Sequence, residues 1–302
     1  MMRIEGRIAP DCVAYSDESM HNKGRWRSIC VVSLKRSEVQ RIKDSLAVLL
    51  ENSDVEEFKW QKCKTGKYRL CAEKIIDCVL PECFKGTMRI DTIIWDTHDS
   101  RHDIQGRDDI ANLQRMYFHL VRNVAVYRWP DSARWHFYPD EMSSMKWKEF
   151  SDCVDRGTRK YRARSEAEEL FTPELNLSKV FRISHLSELS SKDEPLIQTA
   201  DLFAGIGAYS RNNYERYCCW KDTHSGQASL FGSDTDATLS KGDDDRCQLI
   251  ARIVAACKDK GLSVSVDEDH GLRTKYPTHR VNFWRYIPQR EEDKAPLRSE
   301  RN

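Results

Sequence analysis

Three aspartates in this chain sit where an ionised carboxylate is out of place. Asp17 ends the apolar run Val13-Ala14-Tyr15-Ser16 and is followed by Glu18 and Ser19. Asp201 lies inside Leu196-Ile197-Gln198-Thr199-Ala200-Asp201-Leu202-Phe203-Ala204-Gly205, where it is the lone charge. Asp140 follows Pro139 at the end of Arg134-Trp135-His136-Phe137-Tyr138. A carboxylate in apolar surroundings needs a partner, and a cluster of them is usually partnered by a divalent cation. Three carboxylates brought together make an oxygen-only donor set, which suits Mg²⁺ or Mn²⁺. Such ions clamp the attacking and leaving oxygens of a phosphodiester and lower the pKa of a nucleophilic water. Asp17 and Asp140 also have ordinary readings, as a hairpin-turn residue and as a loop or capping acid. Asp201 has the weakest ordinary reading, because its helix reads as buried all round.

Further residues qualify as supports. Glu18 falls on the opposite face of the strand that carries Asp17, so it is a second-tier ligand at best. Gln198 lies one helical turn before Asp201, where it would orient that acid, bind a phosphate, or satisfy the core as a buried amide. In Glu57-Phe58-Lys59-Trp60, Glu57 is a candidate extra ligand and Lys59 a candidate contact for phosphate charge. Asp96 and Asp99 end another strand and are weaker candidates. Within 156–164, Arg159, Lys160, Arg162 and Arg164 form a basic run that would track a phosphodiester backbone. A solvated helix face is the commoner explanation of such a run.

The elements that must position these residues are legible in outline. Residues 11–17 and 28–34 read as strands joined by a turn at Asn22-Lys23-Gly24-Arg25. Helices are expected from about 37 to 51, and from about 67 to 79 with Pro81 as its stop. A third strand covers about 88–95, and a helix about 109–127. The fourth strand is about 134–138, a polar helix about 144–163, the fifth strand about 180–183. Pro195 opens a helix expected over 196–219. Residues 221–246, with Asp243-Asp244-Asp245, read as a flexible acidic loop, and a helix follows over about 246–259. The whole predicts an α/β protein with a five-stranded mixed sheet and helices on both faces. The core spans 1–220 with a helical insertion at about 36–82. A C-terminal helix and tail over 247–288 pack on it, and 289–302 is expected to be disordered.

Composition narrows the function classes. Lys plus Arg is 49 against 48 for Asp plus Glu, a net charge of +1. That excludes a strongly basic nucleic-acid coat but leaves room for a local basic groove. No apolar stretch approaches the roughly 20 residues of a membrane span, and the N-terminus lacks a signal-peptide core. A cytoplasmic protein with no membrane partner is expected. The 11 cysteines are odd in number and read as reduced, mostly buried residues. Cys218, Cys219, His224 and Cys247 match no standard zinc spacing. There is no P-loop, no dinucleotide-binding glycine fingerprint and no Gly-x-Ser-x-Gly elbow.

The motifs Tyr15-Ser16-Asp17-Glu18-Ser19, Glu57-Phe58-Lys59-Trp60, Leu196 to Ala204 and Val281-Asn282-Phe283-Trp284 together resemble the bacterial and phage domain-of-unknown-function family 3800. The resemblance spans about residues 11–288 and implies a ribonuclease-H-like (integrase-like) fold. It implies an acidic metal site for phosphodiester cleavage, with Asp17 as the first-strand acid, Asp140 as the fourth-strand acid and Asp201 on the last helix. Met20 stands where that family often has glycine, and 221–246 is an insertion relative to it. The expectation is therefore a prokaryotic Mg²⁺- or Mn²⁺-dependent nuclease acting on DNA or RNA, in phage defence or mobile-element biology. The alternative is a catalytically degenerate ribonuclease-H-like module that binds nucleic acid or a protein partner.

Overall fold

The computed structural model describes residues 12–19, 24–99, 108–129, 134–142, 145–152, 154, 182–224 and 239–287. The basic run at 156–164 and the tail at 289–302 lie outside them. The first strand, β1 (Cys12–Ser19), alternates between two apolar surfaces. Val13 and Tyr15 enter one core, and Cys12 and Ala14 enter another on the opposite face. β2 (Trp26–Lys35) and β3 (Met88–Asp96) continue the sheet antiparallel. β4 (Arg134–Pro139) lies parallel to β1, and β5 (Arg182–Leu186) lies parallel to β4.

The sheet has six strands, not the five expected, in the order β5-β4-β1-β2-β3-β8. The sixth is β8 (Val281–Arg285), parallel to β3 at the far edge. Its five residues are too few for a clear period-2 signal, so its sequence reads as packed tail. A separate two-stranded ribbon, β6 (Val264–Ser265) with β7 (Arg273–Thr274), lies beside it. Thr274 on β7 caps the β8 edge: its hydroxyl donates to Val281 O and accepts from Phe283 N–H.

One face of the sheet carries α1 (Arg36–Glu51), α2 (Gly66–Lys85) and α4 (Pro195–Asn212). The other carries α3 (Asp109–Arg122), which continues into a wide π turn at Asn123–Arg128. α2 runs through Pro81 rather than stopping before it. Its buried face, Val79, Leu80 and Cys83, outweighs one lost hydrogen bond. The helix ends instead at Gly86, whose left-handed φ of 84° suits glycine.

The long helix expected over 196–219 is two helices, α4 and α5 (Tyr214–His224), broken at Asn213. α4 is buried from Leu196 to Arg211 because the sheet lies on one side and other helices on the rest. The acidic run assigned to a loop forms the first turn of α6 (Lys241–Asp259), which packs against α2. Ser240 caps α6 by accepting from Asp243 N–H, and the acids favour the positive end of the helix dipole. Gly, Ser and Asp serve loops and helix starts alike, which is why composition misled there. Among the described residues, no helix is long and apolar enough to cross a membrane.

Candidate active site

Parallel pairing places Asp17 and Asp140 side by side. Ser16 is in register with Pro139, and Asp140 N–H donates to Ser16 O at 2.9 Å. Both acids therefore sit at the carboxyl ends of neighbouring strands, where open α/β sheets commonly carry sites. Asp17 points to the α4 face, as Val13 and Tyr15 do. α4 crosses β1 and β2 on that face and brings Asp201 close enough to repel the Asp17 carboxylate.

Each of the three carboxylates is held through one oxygen by a backbone N–H. Glu18 N donates to Asp17 Oδ1 at 2.7 Å, Ser191 N to Asp140 Oδ1 at 3.0 Å, and Trp60 N to Asp201 Oδ2 at 2.6 Å. The Trp60 contact has a companion one turn earlier, where Phe58 N donates to Gln198 Oε1 at 2.7 Å. The pairing is geometric. Alternate residues of an extended segment are about 6.6 Å apart and one helical turn rises about 5.4 Å. Residues 58 and 60 thus match Gln198 and Asp201. Gln198 does not orient Asp201 directly; its amide also donates to Ser191 O at 2.8 Å and ties two loops to α4.

Ser191, which no motif marks, is the hub of the polar network. Its hydroxyl accepts from Lys59 Nζ at 2.6 Å and donates to Glu57 Oε1 at 2.9 Å. Lys59 also lies 3.2 Å from Glu57 and 3.8 Å from Asp140 Oδ2. Glu57 is thus engaged by Lys59 and Ser191 rather than joining the aspartates. Nothing in Leu189-Ser190-Ser191-Lys192 distinguishes Ser191 from Ser190, so the signal was not in the sequence. Glu18 faces the other side, accepting from Tyr117 Oη on α3 at 2.8 Å. Asp96 pairs with Arg25 at 2.7 Å, outside the cluster.

The electrostatics follow from burial and crowding. Burial, then repulsion from Asp201, Glu18 and Asp140, pushes the Asp17 carboxyl well above the usual range. Burial pushes Asp201 up to about 7, although the Trp60 N–H and Lys59 act against it. Burial also raises Glu18, against the Tyr117 hydrogen bond. Burial disfavours the Lys59 ammonium, but Asp17, Asp140, Asp201 and Glu57 outweigh that and keep it charged. Stability linked to Asp201 is fully present below pH about 4 and lost as pH rises through about 7. The stability difference between wild type and Asp201→Asn in EDTA should fall over that interval. Urea midpoints at pH 4 to 8 measure it, and a flat difference contradicts the burial argument.

The donor chemistry fits Mg²⁺ or Mn²⁺: three carboxylates, excess negative charge and one lysine against it. The grouping of the three carboxylates is looser than a formed site: among the described residues, no three His, Cys, Asp or Glu side chains are arranged to hold a metal ion. The three aspartates are electrostatic neighbours rather than convergent ligands.

Packing behind the site is tight. A Cβ at Gly205 would lie 2.1 Å from Trp60 Cγ. Gly205→Ala must displace the ring whose backbone N–H holds Asp201. A loss of about 1–3 kcal/mol is expected from overpacking, read as a lower urea midpoint; an unchanged midpoint would mean the ring moves freely.

The chain is similar to two proteins of Methanothermobacter thermautotrophicus, described as uncharacterized proteins ORF2′ and ORF2. The first is 37% identical over 292 residues, covering 94% of this chain and 97% of the relative. The second is 36% identical over the same shares. No protein-family model matches the chain. Among solved structures, the PCNA:RNase HII complex from Archaeoglobus fulgidus aligns with a TM-score of 0.38 and 12% identity, over 74% of this chain and 82% of that one. A likeness of that size establishes neither a shared fold nor a shared activity. Identity above a third along nearly the whole of both chains does establish kinship, and this protein belongs to one family with the two M. thermautotrophicus proteins.

Proposed function

We propose that this protein is a Mg²⁺- or Mn²⁺-dependent nuclease of ribonuclease-H-like type, with Asp17, Asp140 and Asp201 as its metal-holding acids. The observation that carries the reading is the placement of Asp17 and Asp140 at the ends of neighbouring strands, with buried Asp201 near enough to repel Asp17. Buried negative charge in excess of its cations costs stability, and a chain keeps it where function needs it. The neighbouring strands β3-β2-β1-β4-β5, with β4 and β5 parallel to β1, support the ribonuclease-H-like reading and membership of domain-of-unknown-function family 3800. β8 is an addition beyond that set.

A divalent cation at the aspartates would neutralise them, stabilise charge developing on a phosphodiester, and lower the pKa of a nucleophilic water. The chain's own residues do the rest. Backbone N–H groups of Glu18, Ser191 and Trp60 each hold one oxygen of these acids. Lys59, held by Ser191 and Glu57, places a positive charge beside Asp140 for a phosphate oxygen. Gln198 keeps the Phe58–Trp60 segment and the Ser191 loop in place. Arg159, Lys160, Arg162 and Arg164 would bind the strand flanking the cleaved bond.

The test is incubation with labelled single- and double-stranded DNA and RNA in Mn²⁺. Cleavage of at least one polymer, lost in EDTA and in Asp201→Asn, is the expected result. Intact polymers throughout would sink it.

A second reading has an observation in its favour. The aspartates are not grouped as a metal site, and the Lys59 ammonium already stands among them. A degenerate module that binds nucleic acid or a protein would look like this. Retention of a labelled polymer without cleavage, unaffected by EDTA, distinguishes it.

A further inference from the structure

At the other edge of the sheet, along β8, lies a pocket of about 480 Å³. That is within the range of small-molecule sites. Its wall and floor come from β8, β7, the turn after β7 and the end of the π turn. Four cations line it: Arg128, Arg273, Lys275 and Arg285. The lining holds one carboxylate, Asp269, already paired with Arg211 and Arg285 at 2.8 Å each. Arg273 and Lys275 are exposed at the mouth and have no ion pair among the described residues.

The excess of positive charge continues below the floor. Arg89 and Arg128 share the fully buried carboxylate of Asp91, and Arg280 lies near enough to be repelled by Arg89. Arg89 and Asp91 are side by side on β3, and Arg128 reaches Asp91 Oδ1 at 2.6 Å. Arg280 Nη1 is buried without a hydrogen-bond partner. Buried cations in excess are costly unless an anion completes the set. Asn282, also in the lining, donates to Asp91 at 3.3 Å. Trp284 forms a flat wall, with the Arg128 guanidinium over its ring at 5.6 Å. Asn123 and Thr278 add polar groups at the rim.

We propose that this pocket binds the phosphate group of a nucleotide-sized ligand. Arg273 and Lys275 capture the anion at the mouth, Arg128 meets it at the floor, and Trp284 lines the cavity beside it. The site is independent of the acidic cluster. It lies along the β8 edge of the sheet, whereas Asp17 and Asp140 stand at the ends of β1 and β4, beyond β3 and β2.

The test is thermal unfolding of the full chain in EDTA, titrated with inorganic phosphate, adenosine monophosphate or adenosine. Phosphate and the monophosphate should raise the midpoint saturably, the latter at lower concentration, and adenosine should not. Arg273→Glu with Lys275→Glu, both exposed and so tolerated by the fold, should weaken that affinity at least tenfold. Asp201→Asn should leave it unchanged, which separates this site from the nuclease reading. No saturable shift in the wild type, an equal shift in the double variant, or adenosine acting as well as its monophosphate would overturn the assignment.

Discussion

Asp201→Asn is expected to lose metal-dependent cleavage by roughly a hundredfold or more, the scale of removing a group that organises transition-state charge. The same change is expected to stabilise the metal-free protein. Both follow from one environment. Asp201 is buried beside Asp17, with Asp140 and Glu18 adding to the repulsion and its carboxyl held at about 7. At pH 8 the charged form carries a cost that Asn avoids. The gain is at most about 4 kcal/mol, taking about 1.36 kcal/mol per pKa unit from the ordinary 3.8 to about 7. Asn keeps an oxygen for the Trp60 N–H, so the helix and the 58–60 segment should stay docked. Activity and stability moving in opposite directions would mark the acid as functional rather than structural. Loss of both would mean that Asp201 holds the fold and that the nuclease reading is unsupported. Urea midpoints and cleavage rates on the same preparation decide between them.

Asp91→Ala should be the most destabilising single change away from the site, by about 3–5 kcal/mol. Asp91 is fully buried and accepts from Arg89, Arg128 and Asn282. Arg89, itself 1% exposed, also donates to the carbonyls of Pro277, Thr278 and His279. Removing the carboxylate leaves two buried guanidiniums facing each other with nothing between them. The turn at 277–279 and the edge strand β8 depend on that arrangement, so they should lose hydrogen-exchange protection first. Asp91→Asn keeps an acceptor and should lose less. A midpoint within about 1 kcal/mol of wild type for Asp91→Ala would mean the guanidiniums reach water, and that the pocket above them has no charge excess to satisfy.

How far the sequence led depends on the kind of signal each residue leaves. Asp17 and Asp201 were legible because a charge in an apolar element is anomalous wherever the element ends up. Asp140 was legible only through order, as the acid after the strand that should neighbour β1, and the parallel register places it there. Ser191, Tyr117 and the Trp60 N–H were not legible, since hydroxyls and backbone groups acquire roles only through contacts distant in sequence. Ser191 meets Glu57 across 134 residues and Trp60 meets Asp201 across 141. β8 was missed because it is short and its partner, β3, lies almost two hundred residues earlier. The pocket beside it was equally silent: Arg273 and Lys275 carry no sequence signal, and they meet Arg128 and Arg285 only through the fold.

The most direct test of the metal reading is the anomalous scattering of crystals of the wild-type protein soaked in Mn²⁺. Coordination of Mn²⁺ by carboxylate oxygens at about 2.0–2.2 Å is the expected distance. At least one ion bound jointly by Asp17 and Asp201, with Asp140 swung to meet it, is the predicted result. Peaks only elsewhere, or none at concentrations that saturate ordinary Mn²⁺ sites, would contradict the account and leave the acids as an unligated cluster around Lys59.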